Sequence, residues 1–370
     1  MDYDNKDNLF AQISGQFLVA AVIGSVAFGA YLAFWLVPYA IGAWFLPTEN
    51  QQIGFRGTGM NQIEYTSDLA ALEEANVPPF PDEPFIPEPG EELAGDIYEN
   101  VQVLGHLTDA NFNRLMAAMT EWVSPEQGCG YCHSNLENMA EDNYAKVVAR
   151  SMIQMNWSVN ENWSDHVNAA DGGQIGVTCY TCHRGNNVPQ YVWYEATPIA
   201  ENVGPSAAYQ NRGSEVVGYA SLPVDAIERY LLNYEQISVS SYAPREPNEG
   251  TADIKHTERT YALMMHFSQS LGVGCTYCHN SRAFYDIDQS PPTRNTAQLG
   301  IGMVQEINND WILPNTDILP EMRLGEKGDA PKAYCMTCHQ GAPQPLLGHN
   351  VIADWPELAS ETPVYEAATQ

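Results

Sequence analysis

Cys129-Gly-Tyr-Cys132-His133, Cys179-Tyr-Thr-Cys182-His183, Cys275-Thr-Tyr-Cys278-His279 and Cys335-Met-Thr-Cys338-His339 hold all eight cysteines of a 370-residue chain. A Cys-x-x-Cys pair alone serves zinc binding, dithiol redox chemistry or haem attachment. The histidine after the second cysteine separates these uses. Covalent haem attachment needs two thiols spaced for the two vinyl groups on one porphyrin edge, and an imidazole presented to the iron by the next residue. A zinc ribbon has no use for that histidine each time, and a thiol oxidoreductase carries one such pair rather than four. The motifs therefore predict four covalently bound haem c groups. Cys129, Cys132, Cys179, Cys182, Cys275, Cys278, Cys335 and Cys338 are the attachment residues, and His133, His183, His279 and His339 the first axial ligands. With every cysteine in such a pair, a scattered disulfide framework is not expected.

The motifs fall into two sets, with their histidines 50 residues apart in the first and 60 in the second. Each set opens with a methionine-containing segment of helical periodicity. DANFNRLMAAMTEWV (109–123), YAKVVARSMIQM (144–155) and RTYALMMHFSQSL (259–271) place apolar residues at helical spacing, while few stretches alternate as strands do. The expected fold is a mainly α, loop-rich multihaem cytochrome, a pseudo-twofold pair of two-haem halves at 99–210 and 211–350, with a tail at 351–370. Residues 49–98 include VPPFPDEPFIPEPGEE, rich in proline and acids, and read as an extended connector.

Residues 1–48 form an N-terminal tail and anchor. No charged residue occurs between Asp7 and Glu49, and 17–46 are almost wholly apolar. About 20 such residues cross a bilayer, so the stretch predicts one transmembrane helix. Tyr31, Trp35, Tyr39 and Trp44 collect in its second half, as at a membrane interface. A cleaved signal peptide has a basic start and a shorter apolar run; this chain begins MDYDNKDN. A lipid anchor needs a cysteine near the apolar run, and the first cysteine is Cys129. The flanks are too poor in basic residues to orient the helix. Haem attachment of this type takes place outside the bacterial cytoplasmic membrane, which puts the globular part in the periplasm and the N-terminus inside.

Sixteen Lys and Arg against 46 Asp and Glu leave a net charge of −30. Such a chain repels nucleic acid phosphates and suits a basic protein partner.

Each iron has a second axial position, which decides between catalysis at an open metal and simple electron passage. Met116 precedes Cys129 by 13 residues, Met264 precedes Cys275 by 11, and Met152 precedes Cys179 by 27. A helix over the haem face, followed by a returning loop, brings each sulfur to its iron. Core packing is the competing use of any single methionine, and Met119, Met155 and Met265 sit beside these candidates; recurrence before three motifs selects the ligand reading. The fourth motif offers Met322, 13 residues before Cys335, in a stretch broken by Pro314 and Pro320, or His166 from the other half. The residues alone leave these two open.

Together, RLMAAMTEWVSPEQGCGYCH (114–133), YAKVVARSMIQM (144–155), NWSDHV (162–167), GVTCYTCHRG (176–185), YALMMHFSQSLGVGCTYCHN (261–280) and APKAYCMTCHQG (330–341) resemble the tetrahaem cytochrome subunit of purple-bacterial photosynthetic reaction centres. The resemblance covers about residues 60 to 357. It implies three His/Met haems and a fourth His/His haem whose second histidine follows the second haem's methionine by 14 residues, which selects His166. It further implies a stack in the order first, second, fourth, third, with the third haem nearest the chlorophyll special pair of the core subunits. Arg294 matches an arginine beside the third haem, where a positive charge raises the potential. Implied partners are the core subunits carrying the special pair, the membrane, and a soluble c-type cytochrome or high-potential iron–sulfur protein as donor. Well-known members carry an N-terminal lipidated cysteine, which this chain lacks. The other classes compatible with four motifs are a membrane-anchored multihaem quinol dehydrogenase, a multihaem reductase with an open iron, and a zinc-scaffolded module.

Overall fold

Apolar residues at three- and four-residue spacing, started by polar caps, generate the long helices. In the computed structural model, which describes residues 4–40, 47–52, 61–79, 83–169, 172–196, 213–239 and 252–365, the chain is mainly helical. It divides into two compact units: residues 1–51 with 62–71, and residues 52–61 with 72–370.

In the first unit, α1 (Asp4–Ala40) is a continuous helix. Its stretch Phe17–Val37, 21 residues of mean hydropathy 2.2, has none of its surface buried. At about 1.5 Å per residue it is long enough to cross a hydrocarbon core of about 30 Å. Tyr31 and Tyr39 are exposed on it; Trp44 lies outside the described residues. Strands β1 (Thr48–Gln52) and β2 (Asn61–Tyr65) pair with each other, and α2 (Thr66–Ala75) follows. The expected extended connector at 49–98 is therefore partly regular structure. Its polar strands and the short helix TSDLAALEEA are too weakly patterned to stand out against the neighbouring prolines.

The second unit holds α3 (Ala94–Ile97), α4 (Asp109–Val123), α5 (Tyr144–Asn162), α6 (Ser164–Val167), α7 (Cys179–His183), α8 (Asp225–Leu231), α9 (Ile254–Leu271), α10 (Thr293–Glu306) and α11 (Cys335–His339). The Asn143 side chain accepts from Lys146 N and caps α5, and that of Asp253 accepts from His256 N and caps α9, each satisfying a free first-turn donor. After α10 the helix continues as a π turn at Ile307–Ile312 and a 3-10 segment at Leu313–Ile318. The helix thus runs through Pro314, which takes an N-terminal position of the 3-10 segment where its missing N–H costs little, and stops before Pro320.

The motifs recur in two local forms. In the first and third, Gly128–Tyr131 and Cys275–Tyr277 make single 3-10 turns, and the histidine N–H closes onto the first cysteine carbonyl at 2.9 Å in both. In the second and fourth, Cys-x-Thr-Cys-His is itself the short helix α7 or α11, capped by the Thr181 or Thr337 hydroxyl. Left-handed Arg184 or Gln340 and then Gly185 or Gly341 end these helices. Gly185 N donates to Trp122 O of α4, and Gly341 N to Ser270 O of α9, both at 2.8 Å. Each helical motif is thereby tied to the helix that opens its set. Gly272, at the end of α9, has φ +65°, and a Cβ there would meet Gly341 O at 2.2 Å.

The segment 351–358, expected to be part of a tail, is core. Ile352, Trp355 and Leu358 pack with Leu115, Trp122, Ile153 and Trp157 of α4 and α5. Arg114 Nη2 donates to both carboxylate oxygens of Glu357 at 2.8 Å, with both side chains buried, and the guanidinium lies 4.0 Å from the Trp355 ring centroid. Trp157 Nε1 and Asn156 Nδ2 donate to the carbonyls of Glu357 and Leu358. Two further clusters, one on α8 and α9 and one joining α5, α6 and α10, complete the core. The expected halves 99–210 and 211–350 lie within one compact unit; their boundary, and residues 197–212 around it, fall outside the described residues.

Removing one member of a buried ion pair leaves an uncompensated charge and costs about 3–5 kcal/mol, whereas an apolar replacement of both is close to neutral. Arg114→Leu is therefore expected to lower thermal stability sharply, and Arg114→Leu with Glu357→Leu to recover most of the loss, as measured by thermal unfolding of the purified protein.

Candidate functional site

A single cavity of about 1790 Å³ runs through the second unit. A pocket for one small ligand is about 300–1,000 Å³, so this space is built for more than one group. All four motifs reach it: every cysteine of the four pairs and His133, His183, His279 and His339 are on its wall, as are Met116, Met152, Met264, His166 and Arg294. Met119, Met155 and Met265 are on it too, so the wall does not choose between neighbouring sulfurs. Met322 is 85% exposed and is not part of the wall.

The histidines share one electronic arrangement. Nδ1 of His133 meets Met139 O at 3.1 Å, that of His183 meets Asn186 O at 2.8 Å, that of His279 meets Phe284 O at 3.0 Å, and that of His339 meets Ala342 O at 3.0 Å. His166 Nδ1 likewise meets Thr296 O of α10 at 2.9 Å. A carbonyl only accepts, so in all five rings Nδ1 is the protonated nitrogen, and in the neutral ring this leaves a lone pair on Nε2, the form in which imidazole binds a metal. Of nine histidines, these five line the cavity. The buried His266 is different: Nδ1 donates to Val216 O, Nε2 faces Ser270 Oγ at 3.4 Å, and its ring stacks on Tyr334.

Burial sets the protonation of the wall. It pushes the Cys179 and Cys335 thiols up to about 12 and Cys132 to about 11. It lowers the pKa of His183 and holds His339 down to about 4, with His166 adding to the effect. For His279 burial also comes first, followed by the nearby Arg294 charge. At His183, His279 and His339 these shifts favour the neutral ring, the form that binds a metal.

The His166 and His339 rings lie with centroids 6.2 Å apart and planes at 71°. Two imidazoles on opposite sides of one metal, each nitrogen about 2 Å from it, have centroids about 6 Å apart. The approach depends on Gly300 of α10: a Cβ there would sit 2.6 Å from His166 Cε1, and at Gly302 one would sit 2.7 Å from the Trp163 ring. These two glycines and the Thr296 carbonyl shape the site without bearing any chemistry that a motif reading would notice.

The cysteines depart from expectation at one point. Cys182 and Cys338, the second cysteines of two motifs, are joined by a disulfide with Cα atoms 4.4 Å apart, and the other six are free thiols. At that separation two sulfurs are within bonding reach. A thiol sulfur has one bond to give, so this disulfide and thioether attachment at the same two residues exclude one another.

Paired thiols, neutral imidazoles with free Nε2 and thioether sulfurs around one mostly apolar cavity make the donor set of haem c and define a c-type cytochrome. A profile of the family described as "Photosynthetic reaction centre cytochrome C subunit" matches residues 46–359. The chain is 49% identical to the photosynthetic reaction center cytochrome c subunit of Roseobacter denitrificans, over 98% of this chain and 97% of that one. It is 43% identical to the subunit of the same name from Rubrivivax gelatinosus, over 84% of each chain, and 41% identical to that of Thermochromatium tepidum, over 87% and 78%. The chain belongs to the family of photosynthetic reaction centre cytochrome c subunits, electron carriers with covalently bound haem c.

Gly300→Ala is expected to push the His166 ring off its position beside His339. Electron paramagnetic resonance of the oxidised protein checks this: one low-spin haem signal changes while the haem content stays as in the parent.

Proposed function

We propose that the chain holds four haem c groups, each attached through the two cysteines of one motif, and carries electrons from a soluble periplasmic donor to the photo-oxidised special pair. The observation that supports this reading is one cavity walled by all four motifs together with Met116, Met152, Met264 and His166. Bound haem supplies one-electron chemistry at iron, Fe(III) against Fe(II).

The residues do the rest. His133 with Met116, His183 with Met152, His279 with Met264, and His339 with His166 would hold the four irons, which would leave no position for a substrate. A methionine raises the potential relative to a second histidine, which separates the fourth site from the other three. The five Nδ1–H bonds fix the tautomer and aim Nε2. Arg294, with Nη1 3.1 Å from Phe284 O beside His279, puts a positive charge at the third site that disfavours the oxidised iron.

Support for the order first, second, fourth, third comes from the nearness of the second and fourth motifs. Cys182 and Cys338 are close enough to bond, and we read this as the meeting edge of the two sites, both sulfurs forming thioethers in the mature chain. The paired local forms of the motifs support a pseudo-twofold relation between the two sets. The apolar surface of α1 supports a single membrane crossing, with the haem-bearing unit on the periplasmic side and the core subunits as partners.

His166→Ala is expected to shift the fourth haem in a potentiometric titration and leave the second unmoved; a shift of the second haem alone contradicts the assignment. The net charge of −30 steers a basic donor such as a soluble c-type cytochrome. Flash-induced re-reduction by such a donor should slow as salt is raised from about 0.01 to 1 M, over which the screening length falls from about 30 to 3 Å. A rate independent of salt points instead to apolar docking, as by a high-potential iron–sulfur protein.

A further inference from the structure

The four carbonyls that take the proximal histidine protons are not alike. Met139 O receives His133 Nδ1 at 3.1 Å and also Lys146 Nζ at 2.8 Å. Phe284 O receives His279 Nδ1 at 3.0 Å and also Arg294 Nη1 at 3.1 Å. Asn186 O and Ala342 O, which serve His183 and His339, have no cation bonded to them among the described residues.

The two cations occupy matching places. Lys146 is the third residue of α5, the helix after the first motif, and Arg294 the second residue of α10, the helix after the third. A first turn is an unfavourable place for a cation, because the helix dipole is positive there. Neither helix has an acidic residue in that turn. Helix stability therefore does not account for either side chain. The loop carbonyls do: Lys146 Nζ also reaches Ala140 O at 3.1 Å, and its side chain is only 13% exposed.

We infer that Lys146 is a potential-setting residue for the first haem, acting through the Met139 carbonyl on His133 as Arg294 acts through the Phe284 carbonyl on His279, and that the second and fourth sites lack this device. A carbonyl oxygen has two lone pairs and accepts both donors. A charged donor draws electron density from the oxygen and weakens it as an acceptor for the imidazole proton. The ring then has less imidazolate character and donates less to iron, an outer-shell effect on the metal. Reduced iron is favoured in consequence, and the positive charge itself acts in the same direction. Asp142 moderates the effect at the first site: its carboxylate is 3.5 Å from Lys146 Nζ, and the Arg150 hydrogen bond holds it down to about 2, so it stays an anion.

The inference rests on the ligand reading proposed above, and the experiment separates the two. The purified reaction-centre complex is titrated potentiometrically and examined by electron paramagnetic resonance, first with the parent chain. Absence of a haem at His133 there overturns the ligand reading and this inference with it. With that haem present, Lys146→Met is expected to disfavour reduction of the first haem about tenfold, 59 mV for one electron. Its low-spin signal should shift, the second haem should stay put, and Lys146→Arg should restore both readouts. An unchanged first-haem potential in Lys146→Met overturns the inference alone. So does a changed potential without a changed signal, which means the charge acts through space and not through the carbonyl. Should Lys146→Met fail to retain the first haem, Asp142→Asn decides: removing the anion should ease reduction of the first haem, and no change contradicts the role given to Lys146.

Discussion

A backbone carbonyl has no proton to give, and that asymmetry governs the site. Each cavity-facing imidazole meets one with Nδ1, so the ring's single proton is spent on the fold and Nε2 is left bare. The bond fixes orientation and protonation together. Where the chain must make that bond, it builds a turn to supply it: a loop after the first and third motifs, a left-handed residue and a glycine after the second and fourth. Burial then favours the neutral form of the His166, His183, His279 and His339 rings.

The proposed ligand reading also bears on the acidity of the chain. The surplus of 30 negative charges opposes reduction of any buried iron, while a cation held on the carbonyl beside a proximal histidine opposes oxidation at short range. Long-range charge is screened by water and salt; Lys146 or Arg294, bonded at hydrogen-bond distance, is screened less. On the inference drawn for Lys146, surface charge is free to serve partner choice while local donors set the potentials.

The chemistry of the site was legible from the sequence because it is written in contiguous residues. Each motif puts two cysteines and a histidine into five residues, and the segments bearing Met116, Met152 and Met264 show helical periodicity that α4, α5 and α9 realise. What could not be read there depends on approach between distant segments. His166 comes close to His339 because Gly300 has no Cβ; the residues alone left His166 open against Met322, and the family resemblance selected it. The role of 351–358 turns on Arg114 meeting Glu357 across the unit, and VIADWPEL looks like a polar end until its tryptophan and leucine are placed. Lys146 resembles a solvated surface lysine until its carbonyl partners are known. The proximity of Cys182 to Cys338, 156 residues apart, has no sequence signature at all.

The most direct test of the account is the intact mass of the protein purified from its own host, together with alkylation of its thiols. Four haem additions to the polypeptide mass, with no cysteine open to alkylation before or after reduction, are predicted. Fewer additions, or thiols at Cys182 and Cys338 released by reductant, would contradict it.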